Sequence, residues 1–144
     1  MGIKKLPPIE KVYEAWTALA DDRVKMHEGF ADVSSSDGEK TYVVRFDDNR
    51  YSSDDNATYW QGYPGYPVLA VMMLQGKLPY DEKEARLWKN INWTRLNKQY
   101  RNNYSKAVEA VAQERDINLH ESTEKATQVM EALQQLPLEI KRKL

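Results

Sequence analysis

The stretch of sequence that decides the fold class is VKMHEGFADVSSSDGEKTYVVRFD, residues 24–47. Two runs within it, about Val24 to Ser34 and Lys40 to Asp47, have the Val, Phe and Tyr content of β-strands. Asp37-Gly38 between them favours a hairpin, because a type I′ turn needs positive φ at both central residues. The sequence therefore predicts an antiparallel hairpin over about 24–47. A two-residue turn sets its register, with these residues opposite each other: Val33 with Tyr42, and Ala31 with Val44.

Helical patterns lie on both sides of the hairpin. An apolar stripe with a period of about 3.6 residues predicts a first helix, formed by Ile9, Val12, Tyr13, Trp16, Leu19 and Ala20. After the hairpin, Pro67 and Gly76 are typical of the start and the end of a short buried helix, although the apolar run between them also suits an interior strand. A last helix over about 123–136 ends before Pro137.

The segment from residue 81 to residue 115 has two apolar phases. A capping box formed by Asp81 and Glu84 begins a helix there. The first apolar residues of the segment lie on one side of the helical wheel, and the later ones lie almost half a turn away. A single straight amphipathic helix does not produce both phases.

Two helices, about 82–91 and 94–115, explain this change of phase. The break between them falls at residues 90–93, and Asn92 or Thr94 caps the second helix. One long helix packed between two layers is the alternative.

The residues between the hairpin and the second helix are rich in turn-forming side chains. The sequence from Asp47 to Gly65 predicts a loop or one short additional strand around Thr58 to Gln61. The sequence Tyr63-Pro64-Gly65-Tyr66 fits a type II turn in which the glycine supplies positive φ.

Together these elements predict a single globular domain of the α+β class over residues 1–144. A small antiparallel sheet built on the 24–47 hairpin packs against four or five helices. This length allows roughly 70% of the unfolded surface to be buried in one core. The predicted core includes large apolar residues from the hairpin and the helices: Trp16, Val44, Leu69, Val71, Leu96, Tyr100, Val111, Met130 and Leu133.

The composition excludes several classes of protein. The chain has no cysteine, so it has no disulfide framework, no thiolate metal site and no cysteine nucleophile. Its longest continuous apolar run, Pro67 to Leu74, is far short of the roughly 20 residues that span a bilayer. The N-terminal sequence lacks the apolar region of a signal peptide. A soluble cytoplasmic protein with no membrane partner is expected.

The segment Ala85–Val108 differs most from the rest of the nearly neutral chain. It holds six basic residues, five asparagines, two tryptophans, two tyrosines and no acid. On the second predicted helix of this region, Arg95, Lys98 and Arg101 share one exposed face, which suits a phosphate, a nucleic acid or an acidic protein. The same spacing buries the aromatic rings, which weakens base stacking as a mechanism. A solvated helix face explains the pattern more simply, so nucleic acid is not the favoured partner.

Five aromatic residues fall close together in the sequence: Tyr51, Tyr59, Trp60, Tyr63 and Tyr66. Aromatic rings with polar groups line ligand pockets and protein interfaces. They also fill the junction between a hairpin and the helices packed on it, which is the more common role. The candidate ligand or partner contacts are Tyr59, Trp60, Tyr63 and Tyr66. Their exposure separates the two interpretations.

No set of residues indicates catalysis, a metal site or a cofactor. The Asp-Asp-Asn sequences at 47–49 and 54–56 lack the glycine and the glutamate of an EF-hand, and turns use the same residue types. In the predicted register His27 lies opposite Asp48, which could orient an imidazole, but nothing else completes a catalytic site. The sequence contains no GxSxG, HExxH, GxGxxG or Walker-type motif.

The favoured function is therefore a non-enzymatic binding or interaction domain for an unknown partner, such as another protein. It would use the basic helical face at 95–106 or the aromatic cluster at 51–66. One alternative is a small-molecule-binding domain or an enzyme with a site lined by these aromatics, and another is a nucleic-acid-binding protein. Catalytic residues scattered along a chain can meet only in the fold, so the sequence leaves enzyme activity open.

Overall fold

The α+β class is confirmed by a computed structural model, which describes residues 2–144. The described residues form five strands, six α-helices and one short π-helical segment, which is more helices than predicted. In chain order the elements are α1 (Glu10–Ala20), β1 (Val24–Met26), β2 (Phe30–Ser34), β3 (Thr41–Asp47), β4 (Arg50–Ser53), the π-helical segment (Ala57–Gln61), α2 (Tyr66–Leu74), α3 (Glu82–Leu87), α4 (Trp93–Gln99), α5 (Tyr104–Arg115), α6 (Leu119–Gln135) and β5 (Glu139–Ile140).

The sheet has the strand order β1-β2-β3-β4-β5. The first four strands form an antiparallel meander, and β5 pairs with β4 in parallel. The predicted register is confirmed, since Val33 pairs with Tyr42 and Ala31 pairs with Val44. Side chains alternate along a strand, so one face of the sheet enters the core, where Tyr51 is fully buried. Helix α2 packs against β1, β3 and β4.

Two turns of the sheet differ from the prediction. The run from about Val24 to Ser34 is predicted as one strand, but it forms a hairpin of β1 and β2. Gly29, with a φ of 82°, lies in the turn between these two strands. In the loop between β2 and β3 only Gly38 has a positive φ, so the turn is not type I′. The Asp37 carboxylate instead accepts hydrogen bonds from Ser35 Oγ at 2.6 Å and from the Glu39 backbone N–H at 3.0 Å. This wider loop keeps the predicted register.

The region between β3 and α2 contains more structure than predicted. The additional strand is β4, whereas residues 58–61 belong to the π-helical segment. The Asp55 carboxylate caps that segment by accepting a hydrogen bond from the Thr58 N–H at 3.1 Å. The predicted type II turn is also wrong, because Gly65 has φ −74° and ψ 177° and caps α2. Glycine is needed there because a Cβ atom would collide with the Asp55 carboxylate.

Two breaks divide the 82–115 segment. The predicted break before α4 is confirmed, and the side chain of Asn92 caps that helix. A second break, which the apolar pattern does not reveal, separates α4 from α5. Arg101 and Asn102 have positive φ there, and Asn103 caps α5. The sequence predicts one helix over about 94–115, whereas the structure has two helices there, α4 and α5.

The hydrophobic core receives buried residues from the sheet and from all six α-helices. Six of the nine predicted core residues are buried, whereas Leu96, Tyr100 and Met130 are partly buried and pack against the core. The last helix begins earlier than predicted, at Leu119, because Asn118 caps it. Among residues 2–144, every helix is too short or too polar to span a membrane.

Helix α1 lies at the centre of this core. All residues from Lys11 to Ala18 are buried, so the helix is covered on every side and not only along the predicted apolar stripe. It packs against α2, α3, α5 and α6. The polar side chains of Lys11, Glu14 and Thr17 are therefore buried, and each needs hydrogen-bond partners inside the protein.

The Thr17 hydroxyl joins α1 to the connection between α3 and α4. Its oxygen lies 2.5 Å from the Trp88 carbonyl and 3.1 Å from the Tyr13 carbonyl. It accepts a hydrogen bond from Trp93 Nε1 at 2.8 Å. This single side chain thus positions the start of α4.

Replacing Thr17 with Val should destabilise the protein by about 2–3 kcal/mol, because Trp93 Nε1 and the Trp88 carbonyl lose a partner inside the core. The matched control is Thr127→Val on the exposed side of α6, which should change the free energy of unfolding by less than about 0.5 kcal/mol. Urea unfolding followed by tryptophan fluorescence measures both variants. Equal stabilities would contradict the role given to the Thr17 hydroxyl.

Candidate functional site

A cleft of about 840 Å³ opens beside the first half of α1. Its walls come from the β2–β3 loop, β3, the π-helical segment, the turn before α2, helix α4 and the α4–α5 turn. Six aromatic residues line it: Tyr42, Trp60, Tyr63, Tyr66, Trp93 and Tyr104. Four bases and two acids also line it: Lys11, Arg23, Lys98, Arg101, Glu14 and Asp55.

A buried ion pair on α1 forms part of the cleft. Lys11 Nζ lies 3.3 Å from Glu14 Oε2, and only 11% and 7% of the two side chains are exposed. The Asn97 amide donates to the same carboxylate oxygen at 3.3 Å, and Lys11 Nζ lies 4.3 Å from the centre of the Tyr104 ring. Burial lowers the pKa of Lys11, but the Glu14 carboxylate and the other neighbours outweigh burial, so the pKa is raised. Lys11 is therefore positively charged at neutral pH.

Arg23 brings a second cation to the cleft from the connection between α1 and β1. Its Nη1 donates to the Ser34 carbonyl at 2.5 Å, and its Nε lies 3.8 Å from Asp21 Oδ2. Within residues 2–144, its buried Nε and Nη2 atoms have no hydrogen-bond partner. These two nitrogens form an edge that can bind a carboxylate or a phosphate through two parallel hydrogen bonds. Arg23 therefore has unused donor capacity beside the cleft.

Three tyrosines of the cleft remain protonated at neutral pH. Burial raises the pKa of Tyr66, and the positive charge of Arg23 opposes this shift without cancelling it. Burial also raises the pKa of Tyr42, and the Asp55 carboxylate adds to the effect. The pKa of Tyr63 is raised by burial as well. All three phenols can therefore donate hydrogen bonds.

Asp55 is a buried acid in the wall of the cleft, with 5% of the residue exposed. Its Oδ2 accepts the capping hydrogen bond from the Thr58 N–H. Its Oδ1 is also buried, and it has no hydrogen-bond partner in the described part of the chain. An unpaired buried acceptor of this kind costs about 1–3 kcal/mol, and more when it is charged. Asp55 therefore keeps a buried acceptor without a protein partner in the wall of the cleft.

The structure separates the predicted aromatic contacts. Trp60, Tyr63 and Tyr66 line the cleft, and Trp60 is 65% exposed. Tyr59 instead lines a second groove of about 390 Å³ beside β3 and β4. Tyr51 is fully buried in the core. Filling the junction between hairpin and helix is therefore the role of Tyr51 but not of Trp60.

The predicted basic face is divided in a similar way. Lys98 and Arg101 line the cleft, whereas Arg95 is exposed outside it. The prediction of one continuous helical face is wrong, because the chain turns at Arg101 and Asn102 between α4 and α5. Part of the basic face and part of the aromatic cluster, which are far apart in the sequence, thus meet at one cleft.

Several polar residues of the cleft are not predicted as site residues, among them Lys11, Glu14, Arg23 and Asn97. The only sequence signal for Lys11 and Glu14 is their opposite charge at i, i+3 spacing, which many exposed helices share. Arg23 and Asn97 carry no signal of their own, because tertiary packing alone brings them to α1. For Asp55 the sequence offers two roles, a turn residue or a metal ligand. The hydrogen bond that its carboxylate accepts from the Thr58 N–H agrees with the role in a turn.

The acidic residues considered for metal binding have other partners. Asp54 Oδ1 accepts a hydrogen bond from the Val43 N–H at 2.8 Å. Asp47 pairs with Arg50 across the β3–β4 turn. No group of three or more His, Asp or Glu side chains that could hold a metal ion is found within residues 2–144.

His27 has a different partner from the one predicted. Because β1 and β2 form their own hairpin, His27 Nε2 lies 3.0 Å from Asp32 Oδ2 and not opposite Asp48. Its ring stacks on Phe30 with the ring centres 4.6 Å apart. The pair lies outside the cleft.

A family model described as uncharacterised conserved protein UCP014422 matches residues 4–139. The chain belongs to this family. Every residue that lines the cleft lies inside the matched range. No curated protein and no solved structure matches the chain. Membership of the family assigns no activity, so a functional argument has to start from the geometry of the cleft.

Truncating Trp60 to Ala should cost less than about 1 kcal/mol of stability, because most of the side chain is exposed. Trp88→Ala, at a fully buried position, should cost about 3–5 kcal/mol. Urea unfolding compares the two variants. Acrylamide quenching of tryptophan fluorescence should weaken in the Trp60 variant, because the exposed indole is lost. A Trp60 that acrylamide does not reach would overturn its exposed position in the cleft.

Glu14→Gln should lower the pKa of Lys11 below its usual value of about 10.4, because burial then acts without the carboxylate. In the wild type, the raised pKa stabilises the folded state below the unfolded pKa, and this stability is lost as the pH rises through the folded pKa. In the variant the sign reverses, and stability is lost as the pH falls through the lowered pKa.

An NMR titration of the lysine side chains measures this shift. Unfolding at neutral pH should show a loss of about 3 kcal/mol, as expected when one partner of a buried pair is removed. Glu10→Gln on the same helix is the control and should leave the Lys11 pKa nearly unchanged. A Lys11 pKa that stays raised in the Glu14 variant would show that the pair does not control it.

Proposed function

We propose that the protein is a binding domain whose cleft holds a small, negatively charged ligand with a planar part. One observation carries the proposal. The basic residues near the end of α4 and the aromatic residues before α2 line the same cleft as a buried ion pair and an unpaired guanidinium edge. This proposal combines the binding domain favoured by the sequence with a site for a small molecule.

The charge of the cleft supports an anionic ligand. Lys11 and Glu14 neutralise each other in their ion pair. Of the remaining charged residues that line the cleft, Arg23, Lys98 and Arg101 outnumber Asp55, and Asp21, which pairs with Arg23, reduces the excess to one positive charge. A cleft that is lined mainly by charges of one sign, and whose walls have a low dielectric constant, raises the local concentration of ligands with the opposite charge.

The size and lining of the cleft support a ligand with a planar part. Its volume of about 840 Å³ falls within the range of roughly 300–1,000 Å³ that is common for small-molecule sites. Aromatic walls favour a flat ring, because stacked and edge-to-face contacts add to the burial of apolar surface. Protonated phenols and the Asn97 amide supply hydrogen bonds that would fix the orientation of the ligand.

Nucleic acid is a second candidate, favoured by the exposed Trp60 ring beside the exposed Lys98 and Arg101. Such binding should weaken steeply as the salt concentration rises, because each neutralised phosphate releases counterions. The absence of binding to mixed single-stranded and double-stranded oligonucleotides at about 50 mM salt would remove this candidate.

Two further parts of the proposal come from the sequence. We propose one domain over residues 1–144, which the shared hydrophobic core supports. The cytoplasmic location stays a prediction of the sequence.

Thermal unfolding of the full chain tests the main proposal. The panel contains phosphorylated sugars, aromatic carboxylates and nucleoside phosphates. At least one compound should raise Tm, because a ligand that binds only the folded state stabilises it in proportion to RT ln(1 + [L]/Kd). The double variant Lys98→Gln, Arg101→Gln should weaken the binding of that compound about tenfold or more while keeping the fold.

Arg95→Gln is the matched control, because this residue is exposed on the same helix but lies outside the cleft. It should leave the affinity unchanged. If no compound raises Tm, or if the Arg95 variant weakens binding as much as the double variant, the cleft is not the binding site.

A further inference from the structure

We propose that the ligand of the cleft is a nucleoside phosphate and that Asp55 recognises its base. This inference rests on the proposed function and specifies the chemistry of the ligand. Three features of the cleft match the three parts of such a molecule. The free acceptor of Asp55 matches the polar edge of the base, the aromatic walls match its ring, and the basic residues match the phosphate.

The free oxygen of Asp55 selects for a hydrogen-bond donor. Its carboxylate is held in place, because Oδ2 accepts the Thr58 N–H and the Gly65 backbone packs against it. Only Oδ1 remains without a partner in residues 2–144. Nucleobases carry N–H groups on their edges, and Asp and Glu accept hydrogen bonds from such groups in nucleic-acid complexes. Because Oδ1 is buried, a base reaches it only when a neighbouring side chain changes rotamer, as is common in binding sites.

A second anionic group could not take the place of the base. Asp55 would repel a phosphate or a carboxylate, because both carry negative charge. The aromatic walls contribute most to binding when a planar ring stacks on them, as bases do on Trp and Tyr side chains. Trp60 and Tyr63, which are exposed and half-buried in the cleft, are the rings most accessible for this contact.

The basic side of the cleft suits a phosphate group. The Nε and Nη2 edge of Arg23 can donate two parallel hydrogen bonds to phosphate oxygens. Lys98 and Arg101 are exposed, so their long side chains can reach the same group. The net positive charge of the cleft attracts a phosphate monoester, which carries about −1.5 to −2 at neutral pH.

Isothermal titration calorimetry of the full chain tests this inference at about 50 mM salt. The probes are AMP, GMP, CMP, UMP and ribose 5-phosphate. At least one nucleotide should bind about tenfold or more tightly than ribose 5-phosphate, because only the nucleotide can stack a base and reach Asp55.

Asp55→Asn isolates the contact with the base. Asn is as good an N-cap as Asp, so the π-helical segment and the fold should be retained, while the charged acceptor is lost. The affinity for the nucleotide should fall about tenfold or more, and the affinity for ribose 5-phosphate should stay the same. Asp81→Asn is the matched control, because Asp81 caps α3 outside the cleft, and it should change neither affinity.

The Asp55→Asn variant could fail to fold, so a second experiment uses only the wild-type protein. It compares a nucleotide with an analogue whose base lacks the hydrogen-bond donor. AMP should bind the wild type about tenfold or more tightly than purine riboside 5′-monophosphate, which lacks the exocyclic amino group, if AMP is the preferred nucleotide. For CMP, the analogue without the exocyclic amino group is used. For GMP the analogue is 1-methylinosine 5′-monophosphate and for UMP it is 3-methyluridine 5′-monophosphate, because these also lack the ring N–H donor. Equal binding of nucleotide and analogue would overturn the role of Asp55.

The outcomes distinguish this inference from the proposed function. If no anionic probe binds, both fail. If ribose 5-phosphate binds as tightly as every nucleotide, or if Asp55→Asn leaves nucleotide binding unchanged, the cleft binds an anion without reading a base and only this inference fails. If an oligonucleotide binds far more tightly than any mononucleotide and Arg95→Gln weakens it, the ligand is a nucleic acid and the mononucleotide is excluded.

Discussion

The burial of α1 on every side is the constraint on which the rest of the structure depends. A helix with no solvated face has to satisfy its polar side chains inside the protein. Thr17 does so through the connection before α4, and Glu14 does so through Lys11 and Asn97. The same contacts fix α4 against α1, and α4 forms one wall of the cleft. The position of this wall is therefore a consequence of how a polar central helix is covered.

Much of the fold could be predicted because its signals are local. The side chain of Asp81 caps α3 as the sequence indicates, and centring the hairpin on Asp37-Gly38 gives the register of β2 and β3, although the turn itself is wider than predicted. The break after Tyr100 could not be predicted in this way, because the apolar phase continues across it. Gly65 was misassigned for a different reason. A glycine is required there by the Asp55 carboxylate, and nothing in the adjacent sequence reveals that contact.

The candidate site could be predicted only in part. The composition indicates Lys98 and Trp60 as site residues, because clusters of basic and of aromatic residues can be recognised in the sequence alone. Lys11 could not be found, because a charged residue next to an apolar stripe usually points to solvent, and Arg23 carries no sequence signal of its own. Their burial depends on elements far along the chain. From the sequence, the basic face and the aromatic cluster are alternative sites, whereas members of both line one cleft in the structure.

The second break in the 82–115 segment has a mechanical consequence. It leaves α4 as a short rod with a turn at each end and with Trp93 as its only buried residue. Trp93 at its start bonds Thr17, and Asn97 near its end bonds Glu14, so the rod is tied to α1 at two places. The wall that carries Lys98 is therefore positioned by the same helix that carries the Lys11–Glu14 pair. A shift of α1 would displace both sides of the cleft together.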